Sequence, residues 1–157
     1  MRVFTIAILV IFLTDSPAMS GNQKPVKPSP GDKCPVCGMF VAKYPDFLAQ
    51  ILFTDGSYAL FDGAKDMFKF YLNIKKYHPS KKISDISMIY VTDYYDVSMI
   101  DGQEAFFVIG SDVYGPMGRE LIPFRTEAAA RDFMKDHNGK AILRFRAVTS
   151  EVVKGLE

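Results

Sequence analysis

The sequence predicts an α+β fold, and three observations carry that prediction. An apolar run over 47–54 and another over 57–61 are separated by Asp55-Gly56 and followed by an amphipathic stretch. The same order of strand, strand and helix recurs over 105–139. Strands in meanders with helices set apart suit an α+β arrangement better than a doubly wound parallel sheet. At 157 residues the chain has the length of one domain, or of two small units sharing a core.

The chain opens Met1-Arg2, and Val3 to Leu13 follows with Thr5 as its only polar residue. That apolar run is too short to span a hydrocarbon core as a helix. With Ala18-Met19-Ser20 placing small residues before a cut near Ser20–Gly21, residues 1–20 read as a secretory signal peptide. A buried terminal helix or strand is the alternative. No Cys stands at the end of the apolar run, so no lipid attachment is expected. The expectation is an exported, periplasmic or otherwise extracytoplasmic protein, soluble after cleavage. Residues 21–31, with GNQKPVKPSP at 21–30, read as a flexible Pro-rich linker, and structure is expected to begin near Asp32.

Phe47 to Thr54 (FLAQILFT) and Ser57 to Phe61 (SYALF) are the first strand pair, joined by Asp55-Gly56, where glycine accepts a positive φ. Asp62 reads as the N-cap of a helix whose apolar face is Ala64, Met67, Phe68, Tyr71 and Leu72. Ile83 to Met99 adds strand-like residues between the halves. Ala105 to Ile109 and Leu121 to Phe124 form the second pair. Thr126 opens a helix ending at Asn138-Gly139, with Phe133 and Met134 on its apolar side. Phe61-Asp62-Gly63-Ala64 and Phe124-Arg125-Thr126-Glu127 occupy corresponding places. Ile142 to Phe145 and Val148 to Val153 read as closing strands. The domain is therefore expected over 32–157, as two ββα-type halves of about 32–82 and 83–157 packed as one compact unit.

Composition excludes more than it assigns. With 48% hydrophobic residues, 24% charged and a net charge of +1, the chain is neither a disordered acidic tail nor a basic nucleic-acid binder. Two cysteines cannot build a four-thiolate zinc site or a dense disulfide scaffold. No Ser/His/Asp elbow, phosphate-cradling glycine motif or paired-carboxylate signature is evident. His78, in KKYHPSKK, and His137, in DHNG, lack ligand spacing to the cysteines. Asp93 and Asp101 are explained as well by loop capping as by binding.

The chemistry is concentrated in Lys33-Cys34-Pro35-Val36-Cys37-Gly38-Met39-Phe40. Two thiols and a thioether form a soft donor set that favours Cu(I) over hard cations. If Cys37 to Met39 is extended, their side chains share a face. Met117, in Gly115-Pro116-Met117-Gly118, sits in a turn where a core methionine is not expected. Met39 and Met117 would approach each other if the halves pack face to face. Three readings remain open from the motif: a metal site, a redox-active CxxC pair, and an inert disulfide.

The residues CPVCGM, VTDY at 91–94, Ile100-Asp101 and GSDVYGPMGRELIPF at 110–124 together resemble the nitrous oxide reductase accessory protein family, NosL. The likeness runs from about Lys33 to Phe145. It implies a periplasmic Cu(I) metallochaperone, not an enzyme, with Cys34, Cys37, Met39 and Met117 as metal residues. It also implies two ββα-type units related to the alkylmercury lyase MerB. Its implied partners are nitrous oxide reductase apoprotein and an ABC-type maturation complex; the charge balance points to no nucleic acid. Members of the family are commonly lipoproteins tethered through a Cys at the signal-peptide boundary, and this chain departs from them there, so no lipid anchor is evident. The alternative is a CxxC thiol–disulfide protein acting on a partner's cysteines.

Overall fold

The computed structural model describes residues 23–157, so the expected signal segment lies outside the described residues. Strand β1 (Ala49–Phe53) turns at Asp55-Gly56 into β2 (Tyr58–Phe61). Gly56 takes φ +84°, and Asp55 Oδ1 accepts from both the backbone and the hydroxyl of Ser57. Helix α1 (Ala64–Leu72) follows, then a short α2 (Ile74–Tyr77). β3 (Ile86–Thr92) returns along the other edge of β1, and β4 (Met99–Asp101) pairs with β3. The antiparallel order is β2-β1-β3-β4.

The second half holds β5 (Phe106–Ile109), a small hairpin of β6 (Tyr114–Gly115) and β7 (Gly118–Arg119), β8 (Ile122–Phe124), α3 (Glu127–Asp136) and β9 (Ala141–Arg144). β5 is central, with β8 and β9 antiparallel on its two edges. In both larger sheets the first strand is thus interior, flanked by the strands before and after the helix. The architecture is α+β, as expected.

Two boundaries differ from the sequence reading. β3 and β4 belong to the first sheet, so that unit reaches Asp101 rather than stopping near 82. All five β1 residues are buried, and its edge away from β2 is filled by the apolar Ile89 and Val91. Val148 to Val153 is not a strand: Ser150–Lys154 forms α4. Thr149 accepts from Val152 N as an N-cap, and Val153 is the helix residue that is buried.

The expected linker is also fastened where described. Gln50, fully buried in β1, accepts from Val26 N at 2.8 Å and donates to Val26 O at 2.6 Å. Tyr90 Oη donates to Gln23 O at 2.7 Å, and Ser87 Oγ to Gln23 Oε1 at 2.5 Å. Composition suggested a tether because residues 21–31 carry little that can be buried. The anchoring groups stand instead on the sheet, where a buried amide requires partners.

Most of the core is shared by the two halves. Phe68 of α1 packs edge-on to Phe107 at 5.1 Å between ring centroids and lies 4.9 Å from Phe145. A smaller cluster beneath α3 centres on Phe133, 4.9 Å from Phe124 and 4.8 Å from Tyr94. Asp93 is a structural capping group: its carboxylate accepts from the amides of Tyr95, Asp96 and Arg125. Asp101 does the same for Gln103.

Candidate metal centre

The cysteine segment is a closed knuckle. A bridge between Lys33 and Phe40 shuts its ends, and Cys34 N donates to Met39 O at 2.9 Å. Gly38 N donates to Cys34 O at 2.9 Å, and Gly38 takes φ +79° so that the chain can fold back. Left-handed backbone of this kind is unfavourable for residues with a Cβ. Cys37 and Met39 are therefore not consecutive positions of an extended face. The turn brings Cys34 and Cys37 together instead.

Two carboxylates complete the cluster. Asp62 follows β2 and Asp66 lies in the first turn of α1, so the strand-to-helix junction presents both toward the knuckle. Cys37 Sγ donates to Asp62 Oδ1 at 3.1 Å, and Cys34 Sγ to Asp66 Oδ2 at 3.4 Å. One ligand atom from each of Cys34, Cys37, Asp62 and Asp66 lies within 4.8 Å of the others. Cys34, Asp62 and Asp66 are buried, and Cys37 is half-buried at the mouth. Asp62 Oδ2 is buried without a hydrogen-bond partner among the described residues. A buried carboxylate oxygen left open beside two thiols fits a cation.

Asp62 is thus not the helix cap expected from sequence. Gly63 holds the N-cap position without a side-chain bond, and the Asp62 carboxylate turns to Cys37. Asp66 is not among the apolar residues that mark α1 in the sequence. The signal that could have drawn attention to both is their i, i+4 spacing across the helix start.

Burial is the main cause that pushes the Cys34 thiol up to about 12, and the charge of Asp66 adds to it. Cys37 is raised as well, by burial first and then by hydrogen bonds to Asp66 and Asp62. Both side chains are neutral thiols at pH 7. A metal ion must displace their protons to gain two thiolates, with two carboxylates ready to offset its charge.

The NosL family model matches residues 25–153, which takes in the knuckle, both carboxylates and the Met117 hairpin. The chain belongs to the NosL family. It is 27% identical over 141 residues to the copper-binding lipoprotein NosL of Stutzerimonas stutzeri, covering 85% of this chain and 70% of that protein. The fold is similar to that of the copper chaperone NosL from Shewanella denitrificans, with a TM-score of 0.69 at 23% identity over 82% of this chain and 97% of that one. The solution structure of apo-NosL from Achromobacter cycloclastes matches with a TM-score of 0.47 at 25% identity, over 67% and 87%. The Stutzerimonas and Shewanella proteins are named for copper, not for catalysis.

Of the four residues expected to hold metal in this NosL chain, the structure gathers Cys34 and Cys37. Met39 is half-buried at the end of the knuckle, its carbonyl bonded to Cys34 N. Met117 is exposed at the tip of the β6–β7 hairpin, and its carbonyl accepts from Lys65 Nζ at 2.7 Å. Met39 and Met117 thus stand on two loops that both attach near the start of α1. The histidines are outside the cluster: His137 Nδ1 lies 3.0 Å from Asp112 Oδ1, and His78 Nδ1 3.1 Å from Ser80 Oγ.

Proposed function

We propose that this chain binds Cu(I) as cargo through Cys34 and Cys37, with Asp62 and Asp66 beside the ion. The observation that carries this reading is the convergence of both thiols with an unpartnered carboxylate oxygen. The relatives' names supply copper, and the soft thiol pair supplies the preference for the cuprous state. Met39 and Met117 would add thioether donors from the rim. Cys37 at the mouth leaves room for an incoming acceptor's ligand to join before the old bonds break. That is the requirement for a carrier rather than a store.

The redox alternative is less well supported. Thiol–disulfide exchange at neutral pH calls for a depressed thiol pKa, whereas burial raises both here. A second metal reading has a specific observation behind it. Two thiolates and two carboxylates are also a possible tetrahedral set for zinc. Competition between Cu(I) and Zn(II) for the apoprotein separates the two.

The deciding measurement is an anaerobic Cu(I) titration against a competing chelator. Wild type is compared with Cys34→Ser, Cys37→Ser, Met39→Leu and Met117→Leu. Loss in both cysteine variants supports the carrier, and equal affinity in all of them refutes it. Delivery to nitrous oxide reductase apoprotein, with an ABC-type maturation complex, is the client reading that the family resemblance favours. It is tested by whether the copper-loaded protein restores copper to that apoprotein. An exported location fits the leader-like sequence of residues 1–20, and among the described residues no helix is long and apolar enough to cross a membrane. The Stutzerimonas relative is named a lipoprotein, whereas the first cysteine here is Cys34 of the knuckle. The shared connectivity of the two sheets favours an origin by repetition, with MerB as the proposed relative.

A further inference from the structure

We infer that Lys65 and Glu120 are positioning residues that lock the Met117 hairpin onto the start of α1 and so set where Met117 stands relative to the thiol pair. This rests on the proposed copper site, with Met117 as a rim donor.

The hairpin cannot hold itself. Only two residue pairs join β6 to β7, Tyr114 with Arg119 and Gly115 with Gly118. Short isolated hairpins are at best marginal in water. Lys65 supplies the missing restraint. Its side chain is buried, and Nζ donates to Met117 O and to Arg119 O, each at 2.7 Å. One ammonium therefore grips the turn at Met117 and the strand that leaves it.

Glu120 makes the reciprocal bond. Its buried carboxylate accepts from Lys65 N at 2.5 Å and from Leu121 N at 2.9 Å. Lys65 N is one of the first-turn amides that a helix leaves without an internal partner. Glu120 thus caps α1 from 55 positions along the chain. The glycines around it make the space. A Cβ on Gly63 would collide with Glu120 Oε2, and one on Gly115 would lie 3.1 Å from Glu120 Cγ. Lys65 stands next to Asp66, and Gly63 next to Asp62, so the clamp shares its backbone with the two carboxylates of the metal cluster.

The test has two readouts on Lys65→Met, Met117→Leu and the double variant. The first is hydrogen exchange of the amides of residues 114–119 in the metal-free protein, which needs no copper. The second is Cu(I) affinity by chelator competition. Lys65→Met should speed exchange in the hairpin and lower affinity by about 10-fold, the lower end of losses for outer-shell partners. In the double variant it should add nothing to the loss from Met117→Leu, because both act through one contact. Lys65→Arg should recover part of the affinity. Unchanged exchange in Lys65→Met overturns the inference. So does full affinity in Lys65→Met when Met117→Leu is weakened. If Met117→Leu itself keeps full affinity, the copper role of Met117 fails, while faster exchange in Lys65→Met still supports the clamp. Lys65→Gln, shorter and neutral, gives the same readouts where Lys65→Met does not fold.

Discussion

The two strand-to-helix junctions occupy the same place in their halves and do opposite things. After β8, Thr126 caps α3 in the ordinary way, its hydroxyl accepting from Ala129 N at 3.2 Å. After β2, the corresponding stretch has Gly63 at the cap and Asp62 turned away to Cys37. A side chain that caps a helix is held against the helix start and is not free to turn toward a ligand. The first junction hands its capping to Glu120, which frees Asp62 and Asp66 to face the thiols. A polar side chain at a helix start can serve the helix or a ligand, and here the two halves have divided those duties.

The comparison can be broken most widely by pH. Burial holds the Cys34 thiol up to about 12 and raises Cys37 too, so both are protonated through the neutral range. Binding as two thiolates must then release two protons. Cu(I) affinity should fall by about 100-fold per pH unit on acidification, or roughly 10⁴-fold from pH 8 to pH 6. A chelator competition repeated across that range measures it. A slope nearer one proton would point to a single thiolate with thioether partners.

Next in size, Cys34→Ser or Cys37→Ser should each cost more than about 100-fold in affinity, above the usual loss from an outer-shell partner. Asp62→Asn sharpens the contrast between the junctions. Affinity should drop by about 10- to 100-fold, while the melting temperature of the metal-free protein does not fall. That pairing is expected because Asp62 Oδ2 already lacks a partner among the described residues. A clear loss of apoprotein stability would show that Asp62 serves the helix after all. The smallest effect belongs to the other junction. Thr126→Ala should cost about 1 kcal/mol of stability through loss of a cap, read by denaturant unfolding, and leave Cu(I) affinity unchanged.

Local chemistry made the strands and the main helices legible. Asp55-Gly56 marked its hairpin, and the apolar spacing of Met67 and Phe68 marked α1, because such signals act over a few residues. Cys34 and Cys37 were legible for the same reason. Asp62 and Asp66 were not, since their approach to the thiols depends on the packing of segments 25 and 32 residues apart. A local rule even pointed the wrong way at Asp62, where capping was the simpler explanation. α4 was hidden in a Val-rich stretch whose strand propensity was overridden by Thr149 and by burial of Val153. β3 was visible as a strand, but nothing local says which neighbour it will join.

The Gln50 amide has a practical consequence for anyone who shortens this chain. Its sequence invites a start at Asp32, where the proline-rich run ends. Such a cut would remove both bonds to Val26 from an amide that is fully buried in the intact fold. Orphaning a buried polar group costs about 1–3 kcal/mol, a large part of what holds a domain of this size together. A truncated protein that fails to take up copper could simply be failing to fold, and the residues at fault would lie outside the metal site altogether.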